Sequence, residues 1–220
     1  MLFRPFLPQI LFCLILYMAF PARSRHSGKK PVFEQVDAAL AFKVKKSIVM
    51  VGMMGAGKTA VGQALASRLK VPFLDSDEEI VRAANMSIAE IFDRDGERFF
   101  RDRETEVIGR LLDTERAVLS TGGGAFMSER NRSMIAKRGV AVWLKADLDL
   151  LWNRVKHKDT RPLLRTADPK ATLTQLYNTR VPVYALADLK VEASASYSIA
   201  DMADAVVAAL LTRPDVLEEI

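Results

Sequence analysis

A glycine-rich stretch that ends in a lysine and a threonine has the spacing of a phosphate-binding loop. Residues 52–59 fit the pattern G-x-x-x-x-G-K-[ST]. Glycines let the backbone curl around a polyphosphate, and the exposed amides and the following helix N-terminus direct positive dipoles at its oxygens. Lys58 would neutralise the β- and γ-phosphates, and Thr59 would ligate Mg²⁺. The nucleotide-binding residues predicted here are Gly52, Gly55, Ala56, Gly57, Lys58, Thr59 and Ala60.

Two carboxylates and three glycines follow other predicted strands. Asp75 and Asp77 stand at i and i+2, so one could hold Mg²⁺ through water while the other orients or deprotonates a hydroxyl nucleophile. A structural alternative is that Asp77 caps the next helix while Asp75 is solvated. Gly122, Gly123 and Gly124 would let a substrate lie against the backbone, and the alternative is a flexible turn.

The elements that must position these residues alternate between strand and helix. Five strands separated by helical segments predict an α/β fold, with a parallel sheet flanked by helices in three layers. Right-handed crossovers place the strand C-termini at one edge, together with the phosphate loop. The predicted strands are 47–52, 71–75, 117–121, 140–144 and 189–193. Two helices are expected over 87–94 and 97–113, and Pro182 should bend or divide the helix 169–186.

Composition excludes several classes of function. The chain has 220 residues, half of them apolar, which suits one domain with a proper core. The net charge of +5 lies in residues 1–50, which carry +6, so the remainder is almost neutral and predicts no nucleic-acid partner. Cys13 is the only cysteine, which fits a reducing compartment. With only two histidines, a zinc site and a histidine-based triad are not expected.

The motifs that accompany the phosphate loop narrow the choice among nucleotide-binding proteins. The sequence has no Asn-Lys-x-Asp guanine-reading motif, and no apolar strand ends in an Asp-Glu pair of the motor-ATPase kind. Over about 47–212 the chain resembles the shikimate kinases. The matching motifs are GMMGAGKT at 52–59, FLDSD at 73–77, IAEIF at 88–92 with DGE at 95–97, FFRxxE at 99–104, STGGGA at 120–125, RPLL at 161–164 and RxPxY at 180–184.

The resemblance implies roles for the acceptor-binding side chains. Asp77 would bind the shikimate hydroxyls and act as the base, while Asp75 would stand near Mg²⁺. Arg101 and Arg180 would clamp the substrate carboxylate, which suits a planar fork of donors. Without the resemblance, Arg101 reads as one charge on a solvated helix. Glu104 would hold Arg101 through an i, i+3 contact.

The resemblance also implies a mobile lid over about 157–168. Arg161 would close on the γ-phosphate and join Lys58 and Asp77 as a catalytic residue, because phosphoryl transfer depends on positioning and charge neutralisation. Arg154 would stack on adenine. The remaining acceptor-site residues implied are Gly122, Gly123, Gly124, Phe92 and Phe100, and the two phenylalanines could equally be plain core.

The expected activity is transfer of the ATP γ-phosphate to the 3-hydroxyl of shikimate, with Mg²⁺ as cofactor. The fold would be that of the P-loop kinases, with a lid and a substrate-binding helical region. Two alternatives remain open: another small-molecule kinase, acting on gluconate or a nucleoside monophosphate, or a membrane-tethered nucleotide-binding regulator. The partners expected are ATP and shikimate, and the chain is expected to be a monomer.

Residues 1–46 lie outside the resemblance and outside the predicted kinase domain, 47–214. Residues 10–20 are continuously apolar, but eleven residues cannot span a bilayer as a helix. Three interpretations remain: translation starts downstream, the segment is a weak tether, or it is an export signal. Export would separate the enzyme from ATP, so a cytoplasmic protein without stable membrane association is expected.

Overall fold

The computed structural model describes residues 41–114, 116–157 and 162–220. Its main sheet consists of β2 Ser47–Val51, β3 Phe73–Asp75, β4 Val118–Ser120, β5 Gly139–Lys145 and β6 Leu189–Glu192. These strands are all parallel and lie in the order β3-β4-β2-β5-β6. The predicted α/β architecture with a five-stranded parallel sheet is therefore confirmed.

Seven helices and two short 3₁₀ turns connect the strands in the described residues. The helices are α1 Lys58–Leu69, α2 Ser76–Ala84, α3 Ile88–Thr114, α4 Glu129–Arg138, α5 Leu148–Val155, α6 Pro169–Tyr184 and α7 Ile199–Leu211. The 3₁₀ turns cover Ala125–Met127 and Pro162–Leu164. Helix α1 packs beside α7, α3 beside α4, and α5 beside α6.

The central strands form the floor of the core. Every residue of β2 is buried, and so are the first six residues of β5. Such continuous apolar strands are typical of a parallel sheet covered on both faces, and each buried Val or Leu contributes about 1.5–3 kcal/mol. A second, smaller cluster of Ile80, Ile91 and Phe100 joins α2 to α3. The helical region beside the sheet therefore has a core of its own.

Helix α3 breaks at Gly96, where the two predicted helices were expected to separate. The φ of Gly96 is 81° and its ψ is 167°, a conformation available almost only to glycine. The first half begins at the predicted cap, where Ser87 and Glu90 exchange hydrogen bonds in a capping box. The break lets one run of chain supply two differently directed helices.

Helix α6 is not divided at Pro182, although a bend or a division there was expected from the sequence. The helix continues to Tyr184, and the backbone N–H of Ala185 still donates to Val181 at 3.0 Å. Pro182 has no backbone N–H and lies in the last turn of the helix. Only one backbone hydrogen bond is therefore lost, and the helix ends two residues later.

A two-stranded antiparallel sheet was not predicted. Strand β1 Phe42–Val44 pairs with β7 Leu217–Glu219, outside the predicted limits of 47–214. Val216 and Leu217 are buried in the main core. The apolar segment 10–20 lies outside the described residues. Within the described ranges, none of the helices is both long and apolar enough to traverse a bilayer.

Candidate active site

The loop between β2 and α1 has the backbone geometry that its glycines suggest. Gly52, Gly55 and Gly57 have φ of 141°, 81° and 96°. A Cβ on Gly52 would stand 2.8 Å from the carbonyl oxygen of Leu144, so the loop passes directly over the end of β5. The Nζ of Lys58 donates to the carbonyls of Gly52 at 2.9 Å and Met53 at 3.0 Å. The ammonium group is thus held inside the curl of the loop.

A cavity of about 450 Å³ opens beside this loop. The predicted nucleotide-binding residues that line it are Gly55, Ala56, Gly57, Lys58, Thr59, Ala60 and Arg154. Arg154 also donates from Nη1 to the carbonyl of Gly55 at 3.3 Å. Tyr197 and Ile199, both about half-exposed, line the cavity as well and were not found from sequence. The turn before α7 carries no motif that could have indicated them.

Oxygen atoms gather at the base of this cavity. The hydroxyl of Thr59 donates to Asp75 Oδ2 at 3.2 Å and lies 3.5 Å from the hydroxyl oxygen of Ser120. Asp75 also caps α2, since its Oδ1 accepts from the backbone N–H of Asp77 at 3.0 Å. The suggestion that Asp77 is the cap was wrong, because Asp77 belongs to the first turn itself.

A second cavity of about 460 Å³ lies on the other side of Asp77. The eight predicted acceptor-site residues all line it: Asp77, Phe92, Phe100, Arg101, Gly122, Gly123, Gly124 and Arg180. The rings of Phe92 and Phe100 form one wall, with centroids 4.9 Å apart. Leu163 and Arg165, from the segment expected to form a lid, line the same cavity, whereas Arg161 lies outside the described residues.

The glycines after β4 are in close contact with the charged side chains of this cavity. A Cβ on Gly122 would stand 2.6 Å from Glu104 Oε1 and 2.8 Å from Asp77 Oδ1. A Cβ on Gly124 would stand 2.5–2.6 Å from the guanidinium atoms of Arg101. A side chain at Gly122 or Gly124 would therefore have to displace the charged groups that occupy this space.

Arg101 is half-buried and held between two carboxylates. Its guanidinium pairs with Glu104 at 2.8 Å and with Glu97 at 3.0 Å, and it lies 5.1 Å from the centroid of the Phe100 ring. Burial acts to lower the pKa of Arg101, but the two carboxylates raise it overall. Burial raises the pKa of Glu104, and the Arg101 charge opposes that shift. The alternative that Arg101 is simply a solvated charge on a helix surface is therefore wrong, because its guanidinium is half-buried and paired.

Arg180 and Tyr184 enter the site from α6. Both are buried, and Tyr184 is completely so. The Tyr184 hydroxyl donates a hydrogen bond to the carbonyl of Gly123. Burial raises the pKa of Tyr184 to about 12, although the positive charge of Arg180 opposes the shift. In the sequence, Tyr184 is only the last residue of the RxPxY motif, and no role is predicted for it.

The two cavities meet. Met54, Asp77, Gly122 and Gly123 line both of them. Asp77 therefore faces the phosphate loop on one side and the arginine-lined cavity on the other. Such an arrangement can bring a polyphosphate and a small anionic molecule together across one carboxylate.

Comparison with known proteins agrees with this geometry. The family model described as shikimate kinase matches residues 54–211. A shikimate kinase of Ruegeria pomeroyi is 68% identical over 178 residues, which cover 81% of this chain and 91% of that protein. A shikimate kinase of Cereibacter sphaeroides is 62% identical over 201 residues, covering 91% of this chain and 98% of that protein.

A solved structure points the same way. The shikimate kinase from Acinetobacter baumannii in complex with shikimate aligns with a TM-score of 0.73 at 38% identity. The alignment covers 76% of this chain and 93% of that one. From its sequence, its fold and the site at the edge of its sheet, this chain belongs to the shikimate kinase family.

Proposed function

We propose that the chain transfers the γ-phosphoryl group of ATP to the 3-hydroxyl of shikimate, giving shikimate 3-phosphate and ADP. The observation that carries this proposal is the meeting of the two cavities at Asp77, Gly122 and Gly123. One cavity has the loop and lysine that suit a polyphosphate, and the other has two arginines that suit a carboxylate. A phosphoryl group leaving the first reaches the second without crossing solvent.

On the nucleotide side, the loop amides and Lys58 bind the phosphates. Lys58 now donates to two loop carbonyls, and its three donors allow it to turn toward the β- and γ-phosphate oxygens when ATP binds. Arg154, which donates to the carbonyl of Gly55, stacks on adenine. The positive charge of Lys58 counters the charge that spreads over the transferring group.

The proposed cofactor is Mg²⁺, and the residues beside the loop fit it. Thr59 and Asp75 supply the hard oxygen atoms that Mg²⁺ prefers, while phosphates and water complete its shell. The described ranges hold no cluster of three or more His, Cys, Asp or Glu residues suited to a metal, which agrees with such a sparse protein ligand set. When bound, the cation neutralises phosphate charge and orients the γ-phosphate.

On the acceptor side, Arg101 and Arg180 hold the substrate carboxylate and Asp77 holds the hydroxyl. The glycines 122–124 let the ring lie against the backbone, and Phe92 and Phe100 wall the cavity. As the bond from the 3-oxygen to the γ-phosphorus forms, the bond from that phosphorus to the β,γ-bridging oxygen breaks. The hydroxyl proton passes to Asp77, and ADP leaves.

The lid completes the proposal. Arg161 closes on the γ-phosphate from the segment 157–168, excluding water and adding positive charge. All the residues assigned to catalysis and binding lie within 47–214, and the strands β1 and β7 outside these limits contribute to the fold rather than to the chemistry. We place the activity in the cytoplasm because ATP is there, with a monomeric chain that needs neither nucleic acid nor membrane.

The test is a coupled assay of ADP release in the presence of Mg²⁺. Shikimate should raise the rate by orders of magnitude over water as acceptor, and mass spectrometry should find one added phosphate. Gluconate and nucleoside monophosphates are the control acceptors. A rate that responds to a control acceptor but not to shikimate would refute the proposal. Slow hydrolysis unaffected by any acceptor would instead support a regulator.

A further inference from the structure

The geometry points to Tyr184 as a positioning residue that joins the substrate clamp to the glycine loop. This inference rests on the proposed function. The Tyr184 hydroxyl donates to the carbonyl of Gly123, and the charge of Arg180 acts on the same phenol. One phenol therefore interacts with a side chain predicted to hold the acceptor and donates to the backbone on which the acceptor lies.

The position of Tyr184 makes this link rigid. Tyr184 follows Arg180 by one helical turn, so both project from the same face of α6. Its ring is stacked against Phe126, with centroids 6.4 Å apart, and against Trp143, with centroids 6.2 Å apart. Trp143 lies in the sheet, so the phenol is fixed relative to the strands rather than to the lid.

The atoms around Gly123 show what the link controls. A Cβ on this glycine would lie 3.5 Å from the backbone nitrogen of Met54, 3.6 Å from the carbonyl oxygen of Gly52 and 3.6 Å from Arg180 Nη1. Gly123 thus touches the phosphate loop on one side and the clamp on the other. Fixing its carbonyl fixes the peptide plane that faces both cavities.

The phenol can serve this purpose because it stays protonated. Its pKa of about 12 keeps the donor hydrogen in place throughout the neutral range. Replacing Tyr184 by Phe keeps the stacked ring but leaves the Gly123 carbonyl without its donor and removes the phenol oxygen that interacts with the Arg180 charge. The expected defect is in holding the acceptor, not in binding the nucleotide.

The experiment is steady-state kinetics of Tyr184→Phe with both substrates varied. We expect the KM for shikimate to rise about tenfold, which corresponds to about 1.4 kcal/mol, while the KM for ATP changes less than twofold. Tyr177→Phe is the matched control, because Tyr177 lies on the same helix and lines neither cavity. It should leave both constants unchanged.

A double-mutant cycle separates positioning from general stability. If Tyr184 acts through Arg180, adding Tyr184→Phe to Arg180→Lys should raise the shikimate KM by much less than tenfold. A lower melting temperature with both KM values unchanged would overturn the inference, as would equal rises in both. If Tyr184→Phe does not fold, Tyr184→Met replaces it in the same comparison, because it also removes the hydroxyl and adds no volume at a completely buried position. A wild-type chain inactive with shikimate would refute the proposed function instead.

Discussion

Replacing Gly124 by alanine should weaken acceptor binding, because the new methyl group would displace the side chain of Arg101. The added Cβ would stand 2.5–2.6 Å from three guanidinium atoms of Arg101, closer than real carbon atoms approach. The backbone of Gly124 has φ of −90° and accepts alanine without strain. The guanidinium must therefore move, and its contacts with Glu97 and Glu104 move with it.

The magnitude follows from what Arg101 is proposed to do. A hydrogen bond to a charged group contributes about 1.5–3 kcal/mol, so losing the alignment with the substrate carboxylate should raise the shikimate KM between about tenfold and a hundredfold. Overpacking should lower the free energy of unfolding by about 1–3 kcal/mol. The KM for ATP should not change, because Gly124 does not line the nucleotide cavity.

The assay is coupled ADP release together with a urea unfolding curve. Gly109→Ala is the matched control, because Gly109 lies inside α3 and its Cβ would meet only Met134 Sδ at an ordinary 3.5 Å. Alanine there should stabilise the helix by about 0.5–1 kcal/mol and leave both KM values unchanged. A folded Gly124→Ala variant with an unchanged shikimate KM would show that Arg101 does not hold the acceptor.

Four further outcomes are expected. Asp77→Asn should lower kcat about 10²- to 10⁴-fold while calorimetric ATP binding persists, and near-normal turnover would remove the assigned role of this carboxylate. Gly96→Ala should lower the free energy of unfolding by about 1–3 kcal/mol through backbone strain alone, since its Cβ would have nothing within 4 Å; an unchanged denaturation midpoint would contradict this. Chelation by EDTA should abolish turnover and added Mg²⁺ should restore it; full activity in EDTA would argue against the metal. Between pH 10 and 12 the unfolded chain loses the Tyr184 proton, normally bound with a pKa of 10.0, while the folded chain keeps it. Folding stability should therefore fall by up to about 3 kcal/mol over this range, and Tyr184→Phe should lack that part of the decrease.

Local patterns predicted most of the fold. The five strands and the helices between them follow from apolar runs and the turn residues that separate them. The break at Gly96 falls in the gap between the two expected helices, 87–94 and 97–113. The pairing of β1 with β7 could not be read in this way. Each has three residues, and the partner of Phe42 is Glu219, so the ladder exists only after the rest of the chain has folded.

The site is a different case. The phosphate loop is local and its geometry could be expected from sequence alone. The acceptor residues come from α2, α3, the loop after β4, and α6, so only the resemblance brought them together beforehand. Asp77 was suggested as the cap of α2, but the cap is Asp75. The two aspartates stand two positions apart at the expected start of the helix, and the sequence does not show which of them accepts the backbone hydrogen bond. Tyr184 went unassigned because its partner is a backbone carbonyl, which leaves no trace in the sequence.

The β1–β7 pair brings the first and last described residues side by side. The backbone N–H of Ile220 donates to the carbonyl of Ala41 at 2.8 Å. A short peptide joining these two residues would circularise the domain, and new termini could then be opened in an exposed surface turn remote from both ligands. A fluorescent reporter inserted at that junction would lie beside the ladder that leads into the start of β2, at the opposite end of this strand from the phosphate loop.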